Sequence, residues 1–254
     1  MASFEPTIPF GEPELMRASS FQRYLDELGQ RTPDGALSTR ISSLSPSLTQ
    51  DLLRFEQQGR AADVLEVAAA CVRHVRSVTV HLRAGDKALP LTLFPRERLL
   101  HCAVDLAARL VAAEARHVAL VVLQVEPAVL RPPGDPDAAL VGDPALYRPL
   151  PPLLWALAIH GHRAALLTEL AGAAVYRVSP ALDLSVLPAG GPLRAAVLRL
   201  RREVASLREI AALPGMGRSR ATRLLNALYL QAGLIVSRSH PAALGESWFG
   251  AGAA

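Results

Sequence analysis

Two sets of side chains in this sequence have the type and spacing to do chemistry: arginines gathered near the C-terminal end, and a few closely placed histidines. In Leu213–Arg238, LPGMGRSRATRLLNALYLQAGLIVSR, Arg218, Arg220 and Arg223 follow a Gly-Met-Gly turn at the start of a helical pattern. Asn226 stands one turn beyond Arg223, and Arg238 closes the stretch. Guanidinium groups beside the free amides of a helix amino end attract anions, whether phosphate or carboxylate. These five residues are the candidate partner- or nucleic-acid-binding set. The histidines read differently. His160-Gly161-His162 brings two imidazoles together, but zinc needs three or four tetrahedral ligands and no cysteine or carboxylate cluster stands near in sequence. His101-Cys102 lies in an apolar run, without the positioned base and orienting third group that activate a thiol. His74, His81 and His117 read as boundary or half-buried residues. The Phe94–Arg98 segment, FPRER, reads as a tight polar turn.

Phosphate cradles are also missing. Nothing matches a glycine-rich loop followed by Lys-Ser/Thr, or a dinucleotide fingerprint after a strand. No catalytic residue, metal set or cofactor is therefore expected, and the chain reads as a non-enzyme.

Lys87 is the only lysine, and the abundance of Arg, Ala, Leu and Pro is the composition of a GC-rich bacterial genome, so placement is more informative than number. Between Pro192 and His240 nine arginines face two glutamates, a local charge of +7; the whole chain is +4, which leaves −3 on the remainder. A basic C-terminal part on a slightly acidic body implies an anionic partner. Cys71 and Cys102 sit in apolar surroundings and read as packed thiols of a reducing compartment. No run approaches the roughly 18 apolar residues of a membrane span, and the N-terminus lacks the pattern of a signal peptide, so a cytoplasmic protein is expected.

The elements that would position these groups follow from periodicity. Residues 1–59 read as a helical arm and linker, with Leu15, Phe21, Tyr24, Leu25 and Leu28 at helical spacing and a second helical stretch capped by Ser47. Residues 60–186 read as an α+β body: a helix in AADVLEVAAACVRHV, a hairpin in SVTVHLRAGDKALPLTLF, a third strand in LLHCAV, a helix in DLAARLVAAEA and a buried strand in HVALVVLQVEP. A loop with eight prolines spans 126–152, then come two helices broken at Gly161 and one further strand, AAVYRVSP. Residues 187–241 form the basic module, and 242–254 a tail. In the module, Gly190-Gly191-Pro192 starts one helix, and Ser206 and Glu209 form a capping box for the next. A third helix runs from about Ser219 to Gln231, with Ala221, Leu224, Leu225 and Leu228 on one face and Ser219, Arg223 and Asn226 on the other. Gly233 stops it, and LIVSRSHP is a short strand.

Two families resemble this module. LPGMGRSRATRLL resembles the helix-hairpin-helix motif, with Pro214, Gly215, Met216 and Gly217 in the hairpin and Ala221 where close helix packing needs a small residue. That resemblance implies a hairpin gripping DNA phosphate without reading sequence. The longer LREIAALPGMGRSRATRLLNALYLQAGLIVSR is similar to the winged helices of bacterial regulators, and in particular to those of PATAN-type bacterial signalling proteins; it accounts for Leu228, Gly233, Leu234 and Ile235 as well. That resemblance implies a helix-turn-helix with a wing strand, serving as a protein-interaction module. The expected architecture is therefore a layered helix/sheet body with a C-terminal winged-helix-like α/β module. The expected function is that of a non-enzymatic bacterial regulatory or adaptor protein acting through protein–protein interaction. The alternative is a DNA-binding regulator using the same module.

Overall fold

In the computed structural model, residues 16, 17, 19–24, 50, 63–84, 86–113, 120–185 and 187–238 are described. The apolar alternation of the hairpin is realised as Val78–Ala84 (β1) and Lys87–Phe94 (β2), antiparallel, with Val78 opposite Leu93 and Ala84 opposite Lys87. β2 buries Leu89 as well as Leu91, Leu93 and Phe94, as a central strand covered on both faces does. Leu99–Cys102 (β3) returns along β2 after a tight turn over 95–98. Pro90 has no N–H to donate, and the pairing with β3 begins just past it, with Leu91 opposite Cys102. Val121–Pro127 (β4) lies on the other side of β1, and Tyr147–Pro149 (β5) beside β3, giving the order β4-β1-β2-β3-β5. Residues 19–24 of the expected arm are helical, and Phe21 stacks on His81 at 4.6 Å. The helix expected after Ser47 falls outside the described residues, apart from Gln50.

The proline-rich segment is tied down by side chains. Asp143 caps a short 3-10 turn, Pro144–Leu146, by accepting from the Ala145 amide at 2.9 Å. The Tyr147 hydroxyl accepts from the Gly142 amide at 2.9 Å and donates to the Arg131 carbonyl at 2.5 Å. Gly142 itself lies on His101: a Cβ there would come within 2.7 Å of Nε2.

The chain forms two compact units. The sheet just described lies in the first, residues 1–62, 75–104 and 120–148; the second takes 63–74, 105–119 and 149–254. The second unit contains helices Val64–His74 (α1), Leu106–Ala112 (α2), Leu150–His160 (α3), Gly191–Arg202 (α4), Leu207–Ala211 (α5) and Gly217–Leu230 (α6). A three-stranded sheet accompanies them: Val175–Val178 (β6), Ala205–Ser206 (β7) and Leu234–Ser237 (β8), in the order β7-β6-β8. The mixed helices and antiparallel sheets are the α+β arrangement expected. Helices α1, α2 and α3, which periodicity grouped with the body, belong to the same unit as residues 187–241. The reason is visible in α3. LPPLLWALAIH is apolar on all sides, buries seven of its eleven residues, and packs on α1, α2 and α6 at once.

One expectation fails here. The second helix after Gly161 does not form: 161–171 is irregular, with only a turn at 168–170. Its backbone groups find partners elsewhere, as buried peptide groups must. Arg163 donates to the carbonyls of Ala165 and Leu166, and Arg238 to those of Glu169 and Ala171. The short strand expected after Gly233 forms as β8 and pairs with β6, Tyr176 lying opposite Val236.

Candidate functional site

The C-terminal arginines are positioned by a helix, a corner and a second helix. α5 starts at its capping box: the Glu209 amide donates to Ser206 Oγ at 3.3 Å, and the Ser206 amide to Glu209 Oε2 at 2.7 Å. The bond from the Ser206 amide foremost, and the Ser206 side chain after it, hold the Glu209 carboxyl below its ordinary pKa. The corner needs its glycines, because Gly215 and Gly217 sit at φ +72° and +68°, a region that costs any L side chain strain. Met216 is buried between them, and α6 begins.

At this amino end the surface opens into a cleft of about 790 Å³. One wall is the first turn of α6, with Arg218, Ser219 and Arg220. A second is the start of α4, with Gly190, Pro192 and Leu193. The end of α3, Ile159 and His160, and the side chain of Arg223 complete it. Neither α4 nor α6 has a side-chain cap at its amino end or an acidic residue in its first turn, and among the described residues no Asp or Glu lines the cleft. Two positive helix ends and three arginines thus line one recess with no carboxylate from the described residues among them, which is the chemistry of an anion site.

The five predicted residues separate. Arg218, Arg220 and Arg223 come together at the cleft. Arg218 and Arg220 are exposed, and Arg220 also donates to the Gly215 carbonyl. Arg223 is buried, 8% exposed, and donates to the carbonyls of Gly161 and Ile159, the latter at 3.2 Å. Burial lowers its pKa from the ordinary guanidinium value. Asn226 is not in the cleft. It is wholly buried, accepting from the Leu167 amide and donating to the Ala165 carbonyl, each at 3.0 Å. Arg238 stands away from the cleft as well, holding the 169–171 turn. The expectation that Arg223 and Asn226 face outward is therefore corrected: α6 buries nine of its fourteen residues because α3 and the 161–171 segment cover the face that the helical pattern left open. His160 and the α4 turn enter the site without having been chosen from sequence. The Gly190-Gly191-Pro192 helix start was legible, but nothing local indicated what it would face.

The remaining candidates resolve simply. His162 stands 3.9 Å from Asp63, whose carboxylate also meets Arg163 at 3.3 Å. Among the described residues no group of three or more His, Cys, Asp or Glu is placed to hold a metal ion. His101 Nε2 is buried without a hydrogen-bond partner among the described residues, and its pKa is lowered chiefly by burial. Cys71 and Cys102 are buried and form no disulfide, with burial pushing Cys71 up to about 12. His81 bonds Glu126 at 2.9 Å across β1 and β4, and His117 lies outside the described residues. Among the described residues no helix is long and apolar enough to cross a membrane. Compared with models of protein families, with curated proteins and with solved structures, the chain matches none of them.

Proposed function

We propose that the protein is a non-enzymatic bacterial regulatory or adaptor protein that acts by protein–protein interaction, with the cleft at the amino ends of α4 and α6 receiving an acidic group of its partner. The observation that carries this reading is the contrast within α6. Its length is enclosed, so it cannot lie in a DNA major groove as a recognition helix does, whereas its basic amino end is open. Arg223 and Asn226, the groups that would read base edges, are engaged with backbone of 159–167. What stays accessible is charge and helix-end amides, which suit a carboxylate or phosphoryl group at a protein surface. The resemblance of the last helices to PATAN-type modules supports the same reading.

Capture from native cell extract with the full chain as bait tests it. A stoichiometric protein partner should be retained by the parent and lost with Arg218→Glu combined with Arg220→Glu; retention of the same partners by both would refute it. A second reading has one specific support. The α5–corner–α6 hairpin has two glycines at positive φ and Ala221 fully buried, which supports the helix-hairpin-helix reading in which the same amino end grips DNA phosphate without sequence preference. Duplex DNA titrated at two salt concentrations decides between them, because phosphate contacts must strengthen at low salt.

A further inference from the structure

We propose that the cleft is a receptor for a phosphoryl monoester carried on a side chain of the protein partner. The inference rests on the reading of this cleft as a docking point and names the group that docks. Arg223 is the first argument. The residue is more than nine-tenths buried and lines the recess, and among the described residues its guanidinium meets only neutral carbonyl oxygens, with no carboxylate in reach. A buried charge with no counter-ion is costly, and an anion in the recess supplies the missing charge.

The second argument is the count of donors. Arg218 is exposed at the cleft and makes no hydrogen bond or ion pair with the described residues; the Ser219 hydroxyl stands beside it on the same first turn. The N–H groups of Gly217, Arg218 and Ser219 belong to an amino end without a side-chain cap. A carboxylate has two oxygens and one charge. A phosphoryl monoester has three terminal oxygens and a charge of roughly −1.5 to −2, and so matches two guanidinium groups and a turn of free amides more fully. A backbone phosphodiester has a single charge and only two terminal oxygens, and is the lesser fit.

The test uses the full chain and calorimetric titration with inorganic phosphate, with a short phosphoserine peptide, with its unphosphorylated twin, and with duplex DNA. The phosphopeptide is expected to bind at least tenfold tighter than its twin, and inorganic phosphate to compete with it. Arg218→Ala should weaken the phosphopeptide by about tenfold, the loss expected of one charge-assisted bond. Ser219→Asp places a carboxylate at the third residue of α6, where it occupies the anion position and favours the helix end; binding should be abolished while the melting temperature stays level or rises. Arg238→Ala, outside the cleft, should leave affinity unchanged. Equal affinity for the two peptides, unchanged binding by Ser219→Asp, or DNA bound tighter than the phosphopeptide would each overturn the proposal. Partner capture that persists when the phosphopeptide fails would overturn it while leaving the docking reading in place.

Discussion

Replacing Asn226 by alanine tests the enclosed state of α6 most directly. Its carboxamide is fully buried and bridges two backbone groups of the irregular segment, the Leu167 amide and the Ala165 carbonyl. Leu167 is 1% exposed, so its N–H would be left without a partner, at a cost of about 1–3 kcal/mol. Ala165 is exposed and its carbonyl can turn to water, so that bond contributes only about 0.5–1 kcal/mol. Asn226→Ala should therefore destabilise the second unit by about 1.5–4 kcal/mol. The same change on an exposed helix face would stay within about 0.5 kcal/mol. Urea unfolding, followed by the fluorescence of Trp155 in α3 with Trp248 replaced by phenylalanine, reads this unit, because Trp155 is 3% exposed. Arg218→Ala serves as the exposed control. If the two variants unfold at the same urea concentration as the parent, α6 does not hold the 161–171 segment, and the assignment of Asn226 to the interior is wrong.

Gly215→Ala should cost about 1–2 kcal/mol from its positive φ alone, and more because the new Cβ would lie 2.7 Å from Pro192 Cγ; thermal unfolding measures it, and a neutral result would contradict the corner geometry. Ser206→Ala should cost about 1 kcal/mol by removing the cap and should raise the Glu209 pKa, which carboxyl-carbon NMR follows. Because the Glu209 pKa is lowered in the fold, its contribution is present above the unfolded value of about 4.3 and is lost as pH falls through the folded one. His101 runs the other way: burial lowers its pKa first, with Asp143 raising and Arg148 lowering it less, so the fold holds it neutral. Stability of the first unit should then be intact above about pH 6.5 and decline as pH drops below, where the unfolded chain takes up the proton; His101→Phe should flatten that decline in urea midpoints measured at pH 7.5 and 5.5.

Elements with strong internal signals were legible in the sequence. The β1–β2 hairpin follows from alternation, α1 from its helical spacing, and α5 from a capping box that the structure reproduces bond for bond. What escaped depends on groups distant in the chain. A helical pattern continued past Gly161, but a Cβ there would strike the Leu157 carbonyl, and the following backbone is partnered by Asn226, some sixty residues later. The face of α6 was misassigned for a related reason: polar residues mark solvent only when no neighbour has carbonyls to satisfy, and the end of α3 offers Arg223 two of them. Ala232, not Gly233, takes the left-handed position after α6, and Gly233 is required because Leu182 packs where its side chain would be. The cleft was half legible. Its arginines stood out by charge, while the wall from α4 was visible only as a helix start.

The interleaving of the two units along the chain bears on how the molecule is made. α1 is synthesised before its packing partner α3, which begins 76 residues later. At roughly 5–20 residues per second, the apolar face of α1 waits about 4–15 s for cover. Neither unit is a contiguous stretch that could be released and folded by itself, so truncation after residue 148 would strand α1 and α2 without α3 and α6. During synthesis the apolar face of α1 therefore stays without this cover until α3 emerges.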